Sequence, residues 1–201
     1  MRVIFISFLI FLADQVSKIY VKGFYFPFFN LEHTGLPKSR SIPVINKFLY
    51  ITPVENPGIA FGIDLGPDFK TIISVFTVIA TIGLLIYFYR IRKGEFLMRF
   101  SVAVILGGAL GNLMDRIFYG YFYGYGHLFS GNVVDFLDIR MFGFFFLNKT
   151  IGIYVFNLAD VAITIGVGIM LFVLAKKRKL DALSESSKIS DNDFSLDGES
   201  S

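Results

Sequence analysis

Asp135 and Asp160 are the acids in this chain best placed to do chemistry. Asp160 lies a few residues inside the hydrophobic run Val155 to Ala175, in the local sequence Phe156-Asn157-Leu158-Ala159-Asp160. That run is otherwise long and apolar enough to cross a bilayer. A carboxylate inside a membrane segment costs at least a few kcal/mol on insertion scales, so it marks a candidate site and calls for a partner. Asp135 is the candidate partner, because neither acid has a basic residue close by at helical spacing. Two carboxyls brought together in a low dielectric do not easily both ionise, and sharing one proton leaves one base and one acid. Such a pair can deprotonate water for attack on a peptide carbonyl and then protonate the leaving amine.

The other intramembrane polar residues gather at the same level. Asn112, Asp115 and Arg116 fall at i, i+3 and i+4 near one end of an apolar run, and Asn157 and Asp160 fall at i and i+3. With a span beginning at Val155, Asp160 lies roughly 8 Å below its start, in the outer third of a core about 30 Å thick. Asp14 and Lys18, at i and i+4 in a third run, reach the same zone. Two readings stay open for these residues: an interhelical network that holds a bundle together, with Asp14 paired to Lys18 and Asp115 to Arg116, or the surroundings of a reaction site.

The elements that must position them are membrane spans. The chain of 201 residues is 54% hydrophobic, which makes it a mainly α, polytopic membrane protein. Four stretches meet the spanning length, about 3 to 20, 69 to 89, 97 to 118 and 155 to 175. The first carries Asp14 and Lys18 and no convincing small-residue cleavage site, so it reads as a retained span. Arg90, Arg92, Lys93 and Arg99 follow the second span, and Lys176, Lys177, Arg178 and Lys179 follow the fourth. The positive-inside rule puts both clusters and both termini in the cytoplasm. The outer connections, 24–68 and 119–154, are too long for simple turns. Phe48 to Val54 and Val133 to Ile139 read as strands of a small extracytoplasmic β-sheet. Residues 1–180 thus form a single four-helix membrane domain. The polar tail 181–201 reads as disordered.

Competing chemistries fail on residue type. With no Cys there is no disulfide, thiolate nucleophile or Cys-based metal site. His33 and His127 lack the neighbours of a zinc site, so no metal ligand set and no cofactor are expected. Ser74 and Ser101 lie on spans without a base, and Ser130 near His127 sits in a Gly- and Tyr-rich loop. The formal charge of +3 comes mostly from clusters beside the spans, which suits anionic membrane lipids, and there is no nucleic-acid motif. A small proton-coupled transporter or channel is the alternative that uses the same buried acids.

Five boxes carry a family resemblance. Asp14-Gln15-Val16-Ser17-Lys18, Asn56-Pro57-Gly58-Ile59-Ala60-Phe61-Gly62, Gly111-Asn112-Leu113-Met114-Asp115-Arg116, Val133-Val134-Asp135-Phe136 and Phe156-Asn157-Leu158-Ala159-Asp160 resemble, in order, those of bacterial lipoprotein signal peptidase, or signal peptidase II. The resemblance spans roughly residues 5 to 175. It implies a membrane aspartyl endopeptidase of the bacterial inner membrane, with its site near the outer face. Such an enzyme removes signal peptides from prolipoproteins, cutting on the amino side of a diacylglyceryl-modified cysteine, and is blocked by the cyclic peptide globomycin. It also implies that Asp135 and Asp160 are catalytic, and that Asn56, Asn112, Arg116 and Asn157 line or order the site. Asp115 would support that framework, Ala159 would belong to the last box, and Asp14 and Lys18 would be structural or substrate-facing. Gly58 would permit a tight turn or close backbone approach. The chain departs from the family pattern in a longer connection from Asp115 to Asp135, filled by Tyr119-Gly120-Tyr121-Phe122-Tyr123-Gly124-Tyr125-Gly126, and in an extended segment between Asp135 and Asp160. The long Gly- and Tyr-rich loop to Asn132 reads either as a mobile lid or as a tolerated surface insertion.

Overall fold

The computed structural model describes residues 3–26, 30–38, 40–45, 48–58, 67–140, 145–146, 149–150 and 154–197. Four helices in it are long and apolar enough to cross a membrane. Helix α1 (Ile4–Lys22) leads into a hairpin of β1 (Phe24–Phe26) and β2 (Leu31–His33), then β3 (Ile42–Ile45) and β4 (Leu49–Asn56). Helices α2 (Pro67–Arg90) and α3 (Phe96–Met114) follow. The third span then continues through a π turn (Asp115–Tyr119) into the short α4 (Gly120–Phe122). Strand β5 (Val133–Ile139), the pair β6 (Phe145–Phe146) and β7 (Lys149–Thr150), β8 (Tyr154–Phe156) and helix α5 (Leu158–Asp197) complete the order.

Helix α3 is the hub of the bundle, packing against α1, α2 and α5. Glycines make the close approaches possible. A Cβ at Gly107 would lie 2.8 Å from the Ser7 carbonyl oxygen on α1, and one at Gly108 would strike the Ala159 carbonyl on α5. The polar face of α1 turns inward. Ser7, Asp14, Gln15, Lys18 and Val21 are its buried residues, while Phe5, Phe8, Leu12 and Val16 stay exposed. Water-soluble helices do the reverse, and a lipid solvent explains the inversion.

The principal sheet is antiparallel in the order β3-β4-β5-β8. In β5, Val134 and Phe136 pack with Val21 of α1 and Tyr119 of the π turn. Asp135 lies between them, so strand alternation sends it to the opposite face. Strand β4 pairs Ile51 with Leu137 and Val54 with Asp135, so it carries one extra residue there. The bulge bends the sheet beside Asp135.

The structure revises three boundaries. The fourth helix begins at Leu158 rather than Val155, because Tyr154–Phe156 pairs with β5 as a strand. Asn157 closes the helix start: its Oδ1 accepts the Asp160 N–H at 3.0 Å, and Asp160 Oδ2 accepts the Asn157 N–H at 3.3 Å. This is a reciprocal capping box, and it puts Asp160 in the first turn instead of roughly 8 Å down the helix. The third span runs on to Phe122, which shortens the second outer connection. Finally, α5 continues as helix to Asp197 where the composition of the tail suggested disorder. No Gly or Pro, the strongest helix breakers, interrupts the sequence between Gly168 and Gly198.

Candidate active site

Asp135 on β5 and Asp160 on α5 line one groove of about 770 Å³, together with Asn56 of β4 and the apolar side chains of Leu137, Phe156 and Ile165. Three asparagines hold the two carboxylates. Asn56 donates to Asp135 Oδ2 at 3.1 Å, Asn157 donates to Asp135 Oδ1 at 2.7 Å, and Asn112 donates to Asp160 Oδ1 at 2.8 Å. Asn157 Nδ2 also reaches Asn112 Oδ1 at 3.1 Å, so a single amide touches the supports of both acids.

Each amide can face only one way. Asn112 Oδ1 accepts from the Lys18 ammonium at 2.9 Å, Asn56 Oδ1 from the Gly58 N–H at 2.9 Å, and Asn157 Oδ1 from the Asp160 N–H. Ammonium and backbone N–H groups only donate. Each Asn must therefore turn its oxygen toward them and its NH2 toward a carboxylate. The three are obligate donors to the two acids.

Behind this layer lies a buried charged platform. Lys18 Nζ is 2.8 Å from both Asp14 Oδ2 and Asp115 Oδ2, and all three side chains are fully buried. Asp115 thus pairs with Lys18 across the helices, in place of its sequence neighbour Arg116. Gln15 Nε2 bridges Asp115 Oδ1 at 3.0 Å and the Gly111 carbonyl at 3.1 Å, while its Oε1 accepts from the Tyr119 hydroxyl at 3.1 Å. The platform also fixes the elements that carry the dyad: Asp14 Oδ1 accepts the Ala159 N–H of α5 at 2.9 Å, and Asp115 Oδ2 accepts the Val134 N–H of β5 at 3.2 Å. Ala159 is fully buried and small enough to lie under Gly108 and Gly111. Gln15 is the contributor whose role the sequence reading missed. A polar side chain in an apolar span was the signal that could have found it.

Gly58 has φ +95, and a Cβ there would lie 2.7 Å from Ile73 Cδ1 and 3.1 Å from Arg116 Nη1. Tight turn and close approach are both real at this position. Arg116 lies half-buried beside it, where its charge acts on Asp115, Asp135 and Asp160. The rest of that box, residues 59–62, is outside the described residues. Burial first, and the neighbouring Asp160 charge second, push the Asp135 carboxyl up from 3.8 to about 6, against the opposing hydrogen bonds from Asn56 and Asn157.

The signal peptidase (SPase) II family matches residues 6–176. This chain belongs to that family. Among the relatives of this signal peptidase II family member, a lipoprotein signal peptidase of Moorella thermoacetica is 36% identical over 174 residues, 87% of this chain and 93% of that protein. One from Staphylococcus carnosus is 33% identical over 172 residues, 85% of this chain and 88% of that protein. A solved structure of a bacterial membrane enzyme, determined by the in meso method at 1.9 Å resolution, aligns with TM-score 0.62 and 30% identity over 86% of this chain and 92% of that one. The proton-transport alternative gains no support from these relatives.

Ser74, Ser101, Ser130 and His33 make structural contacts. Ser74, Ser101 and Ser130 donate to the backbone carbonyls of Lys70, Met98 and His127, and His33 stacks on Tyr20 at 4.8 Å. The long Gly- and Tyr-rich connection is pinned at several points. Phe129 and Gly131 N–H groups bond the Ile117 and Arg116 carbonyls of the π turn at 3.0 Å each, and Tyr123 donates to the Gly23 carbonyl at 2.8 Å. Lys22 lies over the Tyr123 ring at 4.4 Å and pairs with Glu55 at 2.7 Å. These bonds favour the insertion reading over a free lid.

Proposed function

We propose that this protein is an aspartic endopeptidase of the membrane that removes signal peptides from prolipoproteins, cutting on the amino side of a diacylglyceryl-modified cysteine. The observation that carries this reading is the pair Asp135 and Asp160 in one groove, each held by an obligate amide donor, with Asn157 common to both networks. The pair works with one shared proton. The ionised carboxyl takes a proton from water as the water oxygen attacks the scissile carbonyl carbon, and the protonated carboxyl gives its proton to the carbonyl oxygen. The tetrahedral diol then collapses: the C–N bond breaks, the amine nitrogen takes the proton acquired from water, and a diol hydroxyl returns the other to the dyad. No covalent intermediate is required.

Asn56, Asn112 and Asn157 keep the carboxylates aimed, Asp14, Lys18 and Asp115 fix the helices and strand beneath them, and Arg116 supplies a positive charge that acts on both acids. The basic groups Arg90, Arg92, Lys93 and Arg99, and Lys176 to Lys179, stand at the ends of the spans away from the dyad. The positive-inside rule makes those ends cytoplasmic, which puts both termini in the cytoplasm and the dyad near the outer face of a bacterial inner membrane. Partners in this reading are lipid-modified prolipoproteins, membrane lipids and globomycin-type inhibitors.

The test is cleavage of a purified diacylglyceryl prolipoprotein by the wild type, Asp135→Asn and Asp160→Asn. Either substitution keeps side-chain size, removes the ionisable proton and is expected to abolish cleavage with membrane insertion near normal. Robust turnover by either variant refutes the assignment.

A further inference from the structure

At the opposite end of the bundle, roughly 20 Å along α3 from Asn112 by helical rise, lies a second cavity. It has a volume of about 290 Å³ and sits between the start of α1, the end of α2 and the start of α3. Its wall is apolar, from Val3, Ile4, Leu85 and Phe88, and its mouth carries Arg92 and Arg99. The two arginines are arranged together. Arg99 Nη1 donates to the Arg92 carbonyl at 3.2 Å, and the Arg92 guanidinium lies over the Tyr89 ring at 4.1 Å.

No carboxylate among the described residues pairs with either guanidinium, although the short stretch from Arg90 to Arg99 holds four cations and a single acid, Glu95. The Arg99 Nε–H is buried without an acceptor. A buried donor left unpaired costs about 1–3 kcal/mol, so it calls for a missing acceptor. Guanidinium forks suit phosphate oxygens, and basic pockets between spans on the inner leaflet suit anionic headgroups.

We propose that this cavity is a binding site for an anionic membrane phospholipid. The headgroup phosphate sits between Arg92 and Arg99, where a small rotation of Arg99 brings its Nε–H to a phosphate oxygen, and an acyl segment lies against Val3, Leu85 and Phe88. Charge complementarity picks the headgroup, and the apolar wall picks a lipid over a free anion. The site is separate from the dyad and does not depend on the protease reading.

The experiment follows the thermal unfolding of the purified full chain in neutral detergent. It is titrated with phosphatidylglycerol, phosphatidylcholine or inorganic phosphate. Above Kd, phosphatidylglycerol should raise Tm by roughly 3 °C for each tenfold increase in lipid, by linkage. Phosphatidylcholine and inorganic phosphate should give flat curves. The Arg92→Gln/Arg99→Gln double variant should flatten the phosphatidylglycerol response. Leu85→Trp, which fills the apolar half and leaves the charges, should also flatten it and decides the matter if the double variant does not fold. Lys176→Gln/Lys177→Gln, at exposed basic positions on α5, should keep the wild-type slope. Equal slopes for the two lipids, a wild-type slope in Leu85→Trp, or equal loss in the lysine control would each overturn the site. An equal response to inorganic phosphate would overturn the lipid as occupant.

Discussion

Asn112→Asp isolates the donor role of one amide with almost no change in shape. In the wild type, Asn112 Oδ1 accepts from Lys18 at 2.9 Å and from Asn157 at 3.1 Å, while Nδ2 donates to Asp160 Oδ1 at 2.8 Å. An aspartate keeps the accepting oxygen in place and exchanges only the NH2 for a second oxygen facing Asp160. The variant loses a hydrogen bond to a charged group, about 1.5–3 kcal/mol, which is roughly 10- to 150-fold in rate. When ionised, the new carboxylate adds like-charge repulsion at the same contact. When protonated, it can donate its O–H to Asp160 and restore part of the lost bond. The expected result in a purified cleavage assay is therefore a kcat/KM deficit of about 100-fold at pH 8 that narrows to about tenfold at pH 5. Asn112→Ala should show a deficit with no such narrowing. Wild-type rates for Asn112→Asp at pH 8, or identical pH profiles for the two variants, would show that donation to Asp160 is not what this residue supplies.

Other outcomes follow from the same geometry. With Asp135 held at about 6, the dyad loses its working proton as pH rises, so kcat/KM should fall toward tenfold per unit above that value; a rate still climbing at pH 8 contradicts this. The raised value also means that the folded state holds more protons than the unfolded one between 3.8 and about 6, so the stability due to Asp135 is full at low pH and is lost as pH rises through that window. The Tm of wild type minus that of Asp135→Asn should accordingly decrease from pH 4 to pH 7, and an increase refutes the sign. Single cysteines near Lys93 and Lys177 should resist an impermeant thiol reagent in spheroplasts, and ones near Lys38 and Ser130 should label; labelling at Lys177 without permeabilisation breaks the four-span topology. Deleting 122–129 removes the Tyr123–Gly23, Ser74–Phe129 and Phe129–Ile117 bonds. It should lower stability by about 2–4 kcal/mol with KM unchanged, whereas a raised KM with unchanged Tm would restore the lid.

Much of the site was legible because intramembrane polar residues carry their own signal. Asp14, Lys18, Asn112, Asp115, Asn157 and Asp160 all stand in apolar runs, and the structure brings all six into one connected network. The pairing inside that network was not legible. Sequence spacing favours Asp115 with Arg116, yet Gly107, Gly108 and Gly111 let α1 and α5 approach α3 so closely that Lys18 reaches Asp115 first. The start of α5 was misplaced for a different reason. Val155 and Phe156 are apolar enough to extend the span, but their backbone pairs with β5, and Asn157-x-x-Asp160 is a capping signature that hydropathy alone passes over. Orientation of the amides was beyond the sequence altogether, since it depends on which donors meet each Oδ1.

The capping box has a consequence for how this site is held. Here the Asp160 carboxylate accepts the Asn157 N–H while Asn157 accepts the Asp160 N–H, so the group that starts α5 and the group proposed for chemistry are one. Another N–H of the first turn, at Ala159, goes to Asp14 of α1. The positive end of the α5 dipole therefore faces three carboxylates, those of Asp14, Asp160 and, through the Asn157 side chain, Asp135. A bilayer gives these charges no water to lean on, so the helix end, the amides and Lys18 take its place. The need to satisfy the first turn of a membrane helix and the need to aim an acid thus coincide in the same few atoms. That coincidence explains why the polar residues of three spans converge at this single level.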